Sequence, residues 1–292
     1  MKFGIIGNTR KPALLEVLRE LLAYFDNIKV DYHLENGSAK LLKQKLKITL
    51  PEKKILDNKS LIKKSDIIIA LGGDGTILSI ARMIGRIQVP ILGINLGKLG
   101  FLAEVSVEDM KRCINDIIQH NYIIEDRMVL EARVLNSKKK FYGLNDIVID
   151  RGSYKRVIEL ETYVNNQYLV NYAADGLIVT TPTGSTAYSL AVGGPVVAPG
   201  TDVIMINPIA AHTLTARPLI IPDNSIIKVK SLTGVNIHLT ADGQDELFLK
   251  SPCEIIIKKA KYSVKLIKQK KSTYFELLRA KLLWGKDVRQ EK

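Results

Sequence analysis

Cysteine is scarce in this sequence of 292 residues. Cys113 and Cys253 stand far apart, which argues against a disulfide framework and a zinc site and makes a reducing cytoplasm the expected location. No apolar run approaches the roughly 20 residues that span a bilayer, and Met1–Gly7 has the pattern of a strand rather than of a signal peptide. Aromatic residues amount to only 6%, without the stacking pattern of single-strand nucleic-acid binders. We therefore expect neither a membrane nor a nucleic acid as partner.

The residues that are present have the composition of an ordinary folded protein. Hydrophobic residues make up 46% and charged residues 25%, which excludes a disordered chain, a collagen-like repeat and a coiled-coil rod. The length predicts two domains of roughly 100–200 residues, with one large domain as the alternative. The 43 basic residues exceed the 30 acidic ones by 13, and this surplus favours anionic partners. A nucleotide or nucleic-acid binder without catalytic activity is therefore a further alternative.

Residues 1–125 alternate strand and helix patterns, which predicts a parallel sheet covered by helices. Asp66–Leu71 is continuously apolar after its aspartate, as expected of a strand buried on both faces. A helix is predicted from about Val107 to Gln119, with Ser106 as its N-cap. Two further strands are predicted at 2–7 and 89–94, and a helix that follows Pro12 has Leu14, Leu15, Val17, Leu18, Leu21, Leu22 and Phe25 on one face.

Beyond residue 125, short strands with turn signals predict an all-β layer or sandwich. The polar link Asn136–Lys140 and the turn Asn165–Gln167 join neighbouring strands into hairpins. Near the end, Phe275, Leu278 and Leu282 return to helical spacing, and we expect this helix to pack on one of the domains. The predicted strands are 128–135, 141–150, 157–164, 168–172, 178–181, 220–221, 226–230, 236–240, 254–257 and 264–267.

A glycine loop, Gly72-Gly73-Asp74-Gly75-Thr76, separates a buried strand from the helical stretch Ile77–Ile84. Three glycines permit positive φ and let a ligand approach the backbone, and the following helix N-terminus favours phosphate. An aspartate in such a loop holds a metal ion or takes a proton from an attacking hydroxyl. The loop is neither a Walker A nor a G-x-G-x-x-G motif, and a tight turn with a capping aspartate is the alternative. A second glycine turn, Asn95–Leu102, also follows a strand at the edge where open α/β sheets bind ligands.

Several motifs occur together in one order along the chain, and they resemble the NAD kinase family. Gly72–Thr76 is shared by NAD kinases, phosphofructokinases and diacylglycerol or sphingosine kinases, but the downstream motifs are similar to those of NAD kinases alone. The Gly-Thr-Gly-Asn-Asp stretch of the lipid kinases is absent from this sequence. The downstream motifs are 95–102, Asn145-Asp146, the long stretch 175–189 with 193–195, 212–214 with 217–219, and Asp242-Gly243-Gln244.

The resemblance implies an ATP:NAD 2′-phosphotransferase. Such an enzyme moves the terminal phosphoryl group of ATP, or in some members of polyphosphate, to the 2′-hydroxyl of the adenosine ribose of NAD, with a divalent cation such as Mg²⁺. The implied fold is an α/β domain of residues 1–125, completed by 268–292 as the last helix returns, and a β-rich, NAD-binding domain of residues 126–267. A homo-oligomer, tetramer or dimer, is also implied. A lipid or sugar kinase of the same glycine-loop group is the alternative.

The resemblance also implies roles for individual residues. Asp74 is expected to be the general base and Gly75 to lie against the dinucleotide. Asn145 and Asp146 are expected to read the adenine edge and hold a ribose diol, although relatives often have glutamate at the second position. Adenine is expected to lie against Tyr188. The other implied NAD contacts are Arg156, Asp175, Thr186, Ala187, Ser189, Leu190, Ala191 and Gln244, and no residue is assigned as a metal ligand.

This sequence departs from the family pattern at two places. Many bacterial relatives carry arginine where this chain has Ala173, so one cation near the dinucleotide is missing. The stretch Asn207–His212 also differs from the commoner Thr-Pro-Ile-x-Pro-His.

Overall fold

The computed structural model describes residues 1–232, 234–270 and 273–284. The chain divides into two compact units, one formed by Met1–Asp126 together with the described residues from Val264 onward, the other by Arg127–Ser263. The domain bounds expected from the sequence, 1–125 with 268–292 and 126–267, stay a prediction. Residues 233, 271–272 and 285–292 of that prediction lie outside the described residues.

The strands and helices are numbered here in chain order. The strands are β1 (Lys2–Gly7), β2 (Asp31–Glu35), β3 (Ile55–Leu56), β4 (Ile67–Gly72), β5 (Ile91–Asn95), β6 (Ile123–Arg127), β7 (Leu130–Val134), β8 (Lys140–Gly143), β9 (Asp146–Asp150), β10 (Ile158–Val164), β11 (Gln167–Ala174), β12 (Gly176–Thr180), β13 (Val203–Ile209), β14 (Leu219–Pro222), β15 (Ile227–Ser231), β16 (Asn236–Ala241), β17 (Asp245–Lys250), β18 (Cys253–Lys259) and β19 (Val264–Lys268). The α-helices are α1 (Leu14–Asn27), α2 (Asn36–Leu46), α3 (Asn58–Lys64), α4 (Asp74–Ile84), α5 (Met110–Ile118), α6 (Tyr188–Ala191) and α7 (Tyr274–Leu282).

The first unit is built on a seven-stranded sheet in the order β3-β2-β1-β4-β5-β19-β6. The pairings among β1 to β5, and that between β5 and β19, are parallel. Strand β4 is buried along its whole length, as its unbroken apolar pattern predicts. Helix α1 buries Leu14, Leu18 and Phe25 from its predicted face in the same core as residues of β1. The predicted parallel-sheet α/β unit is confirmed.

The second unit consists of two antiparallel six-stranded sheets, ordered β11-β10-β15-β18-β7-β8 and β14-β13-β12-β9-β16-β17. Side chains of both sheets, such as Leu130 and Leu160 of the first and Ile147 and Leu177 of the second, belong to one hydrophobic core. Two sheets that share one core form a sandwich, so the predicted sandwich-like fold class is also confirmed. No described helix is long and apolar enough to cross a membrane.

Helix boundaries differ from the predictions near two loops. The helix predicted from Val107 starts only at Met110, after a turn in which the N–H of Met110 donates to the carbonyl of Val107 at 3.2 Å. The hydroxyl of Ser106, the predicted N-cap, accepts the N–H of Asp109 at 3.2 Å within this turn. Helix α7 has the predicted spacing, and a capping box formed by Thr273 and Glu276 begins it. Its buried residues are Leu277 and Leu278, whereas Phe275, predicted to pack, is 64% exposed.

Two strand predictions are wrong in their pairing. The predicted strand Phe141–Asp150 is two strands, since β8 pairs in the first sheet of the sandwich and β9 in the second. The chain changes sheet at Leu144–Asn145, where backbone N–H groups bond to a side chain instead of a strand. The strand predicted at 264–267 among those of the sandwich is β19, which joins the parallel sheet next to β5 with Leu266 opposite Ile91.

Candidate functional site

The first unit has a cleft at the carboxyl ends of its central strands. Strand β1 lies between β2 and β4, so the direction in which strands are added reverses at this point. Open α/β sheets bind ligands in the crevice outside such a reversal. The cleft has a volume of about 450 Å³ and is lined by residues that follow β1, including Asn8 and Arg10, and by Gly75, Thr76 and Ser79 of α4. Its position and lining suit a phosphate-bearing ligand at a helix N-terminus.

Asp74 is the first residue of α4, directly after the strand β4 and its following glycine. Its Oδ2 accepts the backbone N–H of Phe101 at 2.8 Å, and its Oδ1 accepts those of Leu102 and Ala103, both at 2.9 Å. Three N–H donors therefore fix the orientation of this carboxylate. A carboxylate offers about four acceptor positions, so one on Oδ2 remains for a substrate hydroxyl or a cation.

The glycines around Asp74 serve different purposes. A Cβ on Gly100 would lie 1.9 Å from Oδ1 of Asp74, so the backbone can approach the carboxylate this closely only because a glycine is present. A Cβ on Gly73 or Gly75 would meet no atom within 4 Å, which leaves open space for a ligand. Gly72, Gly73 and Gly75 permit positive φ but do not adopt it: the positive-φ glycines lie elsewhere in the described chain, and Gly73 is extended at φ −131°.

The segment Asn95–Ala103, which supplies the donors to Asp74, is held by further contacts within the first unit. The side chain of Asn95 accepts the N–H of Gly97 at 2.9 Å and donates to the carbonyl of Lys98. From α7, the ammonium of Lys281 donates to the carbonyl of Leu99 at 2.5 Å. These bonds restrain the segment from both sides and so restrain the carboxylate that it surrounds.

In the second unit, the turn Leu144–Asp146 is fixed through its backbone N–H groups. The carboxylate of Asp242 accepts the N–H of Leu144 at 2.9 Å, of Asn145 at 2.8 Å and of Asp146 at 3.1 Å. On the carbonyl side, the hydroxyl of Thr181 donates to Leu144 at 2.6 Å, and its N–H donates to Asn145 at 2.9 Å. The turn that carries two predicted site residues is thus bonded on both sides.

Several carboxylates of the second unit surround one tyrosine. Burial, together with the negative charge of Asp242, raises the pKa of Asp146 to about 7. Partial burial and the charges of Asp150, Asp146 and Asp175 raise the pKa of Tyr188. The charges of Asp146 and Asp175 thus both act on Tyr188, which links residues predicted from two separate motifs. A carboxylate pair beside an exposed ring suits the hydroxyls and base of a nucleoside.

The segment Pro182–Ala191 forms a single 3-10 turn at Thr183–Thr186 followed by the short helix α6. Tyr188 is 45% exposed. Ser189 is fully buried, and its hydroxyl accepts a hydrogen bond of 2.8 Å from the amide of Asn207. This bond gives Asn207, one of the departures from the family pattern, a structural role in supporting α6. A direct contact between Ser189 and NAD stays a prediction.

The remaining predicted site residues lie in loops. Asp175, between β11 and β12, accepts from Nε of Arg151 at 2.8 Å, so Arg151 supplies a cation beside this carboxylate. Gln244 closes the β16–β17 turn through its N–H. Arg156 is exposed in the loop before β10, and its contact with NAD stays a prediction.

Both halves of the chain match domains of known proteins. Residues 3–122 match the ATP-NAD kinase N-terminal domain and residues 144–269 match the ATP-NAD kinase C-terminal domain. The chain belongs to the NAD kinase family. The NAD kinase of Natranaerobius thermophilus is 37% identical over 98% of this chain and 99% of its own, and that of Carboxydothermus hydrogenoformans is 40% identical over 93% and 94%.

The NAD kinase fold is also evident from a solved structure. Yeast NADH kinase, crystallised with NADH, superposes with a TM-score of 0.89 at 26% identity and covers 100% of this chain and 90% of its own. The family resemblance predicted from the motifs is therefore confirmed. Because both matched domains are those of ATP-NAD kinases, the lipid or sugar kinase alternative is not favoured.

Sequence reasoning within the NAD kinase motifs missed three groups that the structure adds. The donors to Asp74 are backbone N–H groups of 101–103, which leave no signal in residue type except the permissive Gly100. The motif that contains Asp242 does not reveal that its carboxylate accepts the N–H groups of Leu144, Asn145 and Asp146. Arg151 carries no motif, and only its proximity to Asp175 in the folded chain reveals it.

Proposed function

We propose that this protein is an NAD kinase that transfers the terminal phosphoryl group of ATP to the 2′-hydroxyl of the adenosine ribose of NAD, yielding NADP and ADP. The observation that carries the proposal is the Asp74 carboxylate, fixed by three N–H groups at the N-terminus of α4. The near-full-length similarity to NAD kinases supports the identity of both substrates.

The chemistry assigned to Asp74 follows from what a sugar hydroxyl requires. As the ribose 2′-oxygen bonds to the γ-phosphorus, the bond from that phosphorus to the bridging oxygen breaks and ADP leaves. The hydroxyl proton passes to the Asp74 carboxylate, which acts as general base. The N–H groups at the start of α4 and the open space beside Gly73 and Gly75 favour the phosphates. Orientation and charge stabilisation account for most of the catalysis in this reaction type.

We assign NAD binding chiefly to residues of the second unit. Asn145 offers an amide that can recognise the adenine edge, and the carboxylates of Asp146 and Asp175 can accept ribose hydroxyls. The half-exposed ring of Tyr188 offers a stacking surface. The other proposed contacts are Gly75, Arg156, Thr186, Ala187, Ser189, Leu190, Ala191 and Gln244.

We also propose that a divalent cation, with Mg²⁺ as the expected ion, accompanies ATP. Mg²⁺ is usually held by one or two carboxylates plus substrate phosphates, and Asp74 offers one carboxylate with an acceptor position to spare. No cluster of three or more His, Cys, Asp or Glu suited to a metal occurs among the described residues, so a cation held mainly by phosphates fits this chain. The cation would neutralise charge on the transferred group.

Further parts of the proposal concern the assembly and its setting. We propose a homo-oligomer, tetramer or dimer, located in the cytoplasm, with polyphosphate as a second phosphoryl donor. Size-exclusion chromatography with light scattering tests the oligomeric state. An assay that supplies polyphosphate instead of ATP tests the last.

The decisive experiment is the variant Asp74→Asn. It removes the proton acceptor while keeping an oxygen for the N–H donors, so kcat should fall by about 10²–10⁴-fold while NAD is still bound. Steady-state NADP formation and calorimetric NAD binding measure the two effects.

Asp31→Asn is the matched control for this variant, because Asp31 is an exposed aspartate of the same unit whose described partner is Lys2 at 4.0 Å. It should behave as wild type. A folded Asp74→Asn protein with wild-type turnover would show that the proton acceptor lies elsewhere.

A further inference from the structure

The β16–β17 hairpin turns at Asp242 and Gly243, which both have positive φ, +52° and +61°. Two consecutive residues with positive φ are typical of the central positions of a type I′ turn, here closed by the N–H of Gln244, which donates to the carbonyl of Ala241 at 3.0 Å. Asp-Gly is one of the preferred pairs for these positions, with Asn-Gly and Gly-Gly. The conformation of the turn therefore explains why the position is occupied by Asp, Asn or Gly. It does not explain why the side chain is a carboxylate.

The carboxylate has partners far away in the sequence. It accepts the N–H groups of three consecutive residues, Leu144, Asn145 and Asp146, while the N–H of Asp242 donates to the carbonyl of Asp146 at 3.1 Å. Leu144 and Asn145 join β8 of one sheet to β9 of the other and lie outside both strands, while Asp146 is the first residue of β9. Hydrogen bonds to a charged acceptor are stronger than neutral ones, and three of them fix the backbone of the turn.

The backbone of two glycines also packs closely against the turn. A Cβ on Gly143 would lie 2.4 Å from the carbonyl oxygen of Asp146, and one on Gly184 would lie 2.2 Å from that of Asn145. The hydroxyl of Thr180 also donates to the Asn145 carbonyl, at 2.9 Å. Gly143 and Gly184 therefore allow close packing against the turn, and the directions of the Asn145 and Asp146 side chains follow from its backbone.

We propose that Asp242 is a positioning residue for NAD binding, whose carboxylate orders the Leu144–Asp146 turn so that Asn145 and Asp146 are oriented for the dinucleotide before it arrives. The inference rests on the proposed function, because it takes these two residues as NAD contacts. Pre-ordering a binding turn lowers the entropy lost on binding, and its loss weakens affinity.

Two variants separate this role from that of the turn itself. Asp242→Gly and Asp242→Asn both keep a residue suited to positive φ, but the first removes every acceptor and the second keeps one oxygen for Asn145 and Asp146. In the full chain, Asp242→Gly should raise the KM for NAD by about tenfold or more and leave the KM for ATP unchanged, since charged hydrogen bonds are lost only at the NAD turn. Asp242→Asn should recover part of the loss, and kcat should change less than the KM for NAD.

Asp245→Asn is the matched control, because Asp245 lies in the same hairpin and its described partner is Lys139 at 2.9 Å. It should leave both KM values unchanged. Equal KM values for NAD in Asp242→Gly and wild type would overturn the inference, as would equal rises of the KM values for NAD and ATP. An Asp242→Asn protein that does not fold would also overturn it, because Asp242 would then serve the fold alone. A wild-type protein that makes no NADP would reject the proposed function itself.

Discussion

Two aspartates of the proposed site have opposite surroundings. Asp74 receives three backbone N–H groups, which are positive ends of dipoles, and it stands at the start of a helix. Asp146 is buried, and the charge that reaches it is the negative carboxylate of Asp242. The first environment fixes the orientation of a carboxylate, while the second raises the pKa of Asp146 to about 7, so that its ionisation changes near neutral pH.

The raised pKa of Asp146 predicts a dependence of stability on pH. Its ordinary value is 3.8 and its value in the folded protein is about 7, so between these pH values the folded state keeps a proton that the unfolded chain has lost. The contribution of Asp146 to the free energy of unfolding therefore falls as the pH rises from about 4 to 7 and is constant above pH 7. In Asp146→Asn that fall should be absent, so denaturation midpoints at pH 5 and pH 7.5 should differ less than in wild type.

A control for this pH effect is Asp202→Asn, because Asp202 is an exposed carboxylate of the same unit. Its denaturation midpoints should follow those of wild type at both pH values. An Asp146→Asn protein with an undiminished pH dependence would mean that Asp146 is ionised throughout this range.

At the scale of elements, the segment Asn95–Ala103 fixes the orientation of the Asp74 carboxylate. The side chains of Asn95 and Lys281 bond to its carbonyl and N–H groups, while its own N–H groups bond to Asp74. The position of the carboxylate thus depends on backbone atoms about 27–29 residues further along the chain. A change in this backbone should act on catalysis even where no catalytic side chain is altered.

Gly100→Ala tests this dependence. The added Cβ would lie 1.9 Å from Oδ1 of Asp74, so either the segment or the carboxylate must move. A displacement of about 1 Å at a reacting group can cost as much as 100-fold, and we expect kcat to fall at least about tenfold. The measurement is steady-state NADP formation, with thermal unfolding to confirm that the protein is folded.

Gly97→Ala provides the comparison within the same segment. A Cβ at Gly97 would meet its nearest atoms at 3.9 and 4.0 Å, which is ordinary contact, so activity close to wild type is expected. Similar losses in both variants would show that the segment tolerates no alanine for reasons unrelated to Asp74.

The same elements show what sequence can and cannot predict. The buried face of α1 was predictable because helical periodicity is local, and the structure confirms it. The break between β8 and β9 was not, since it depends on Asp242, which lies 96–98 residues away. The proposed role of Asp74 could be inferred from its glycine loop, but its donors are backbone N–H groups, which every residue except proline carries. Strand pairing, as for β19, depends on distant contacts that short apolar patterns do not encode.

At the scale of the whole molecule, the chain leaves the first unit and later returns to it. The second unit is one continuous segment, Arg127–Ser263, and its ends lie side by side, since the N–H of Ala260 donates to the carbonyl of Val129 at 2.7 Å. The first unit is discontinuous, because β19 occupies an interior position between β5 and β6. One continuous segment therefore contains the whole sandwich, whereas residues 1–126 lack the strand β19 of the parallel sheet.

This topology predicts different behaviour for two fragments. Residues 127–263 keep both sheets and their shared core, so this fragment should unfold cooperatively in circular dichroism and denaturant titration. Residues 1–126 lose Val264, Leu266 and Ile267, each buried to within 4% of full burial. At about 1.5–3 kcal/mol per buried side chain, that loss approaches the whole stability of a typical domain, so this fragment should fail to fold alone. Fusing 264–284 to it through a short linker should restore folding, and a stable 1–126 fragment would show that β19 is dispensable for the sheet.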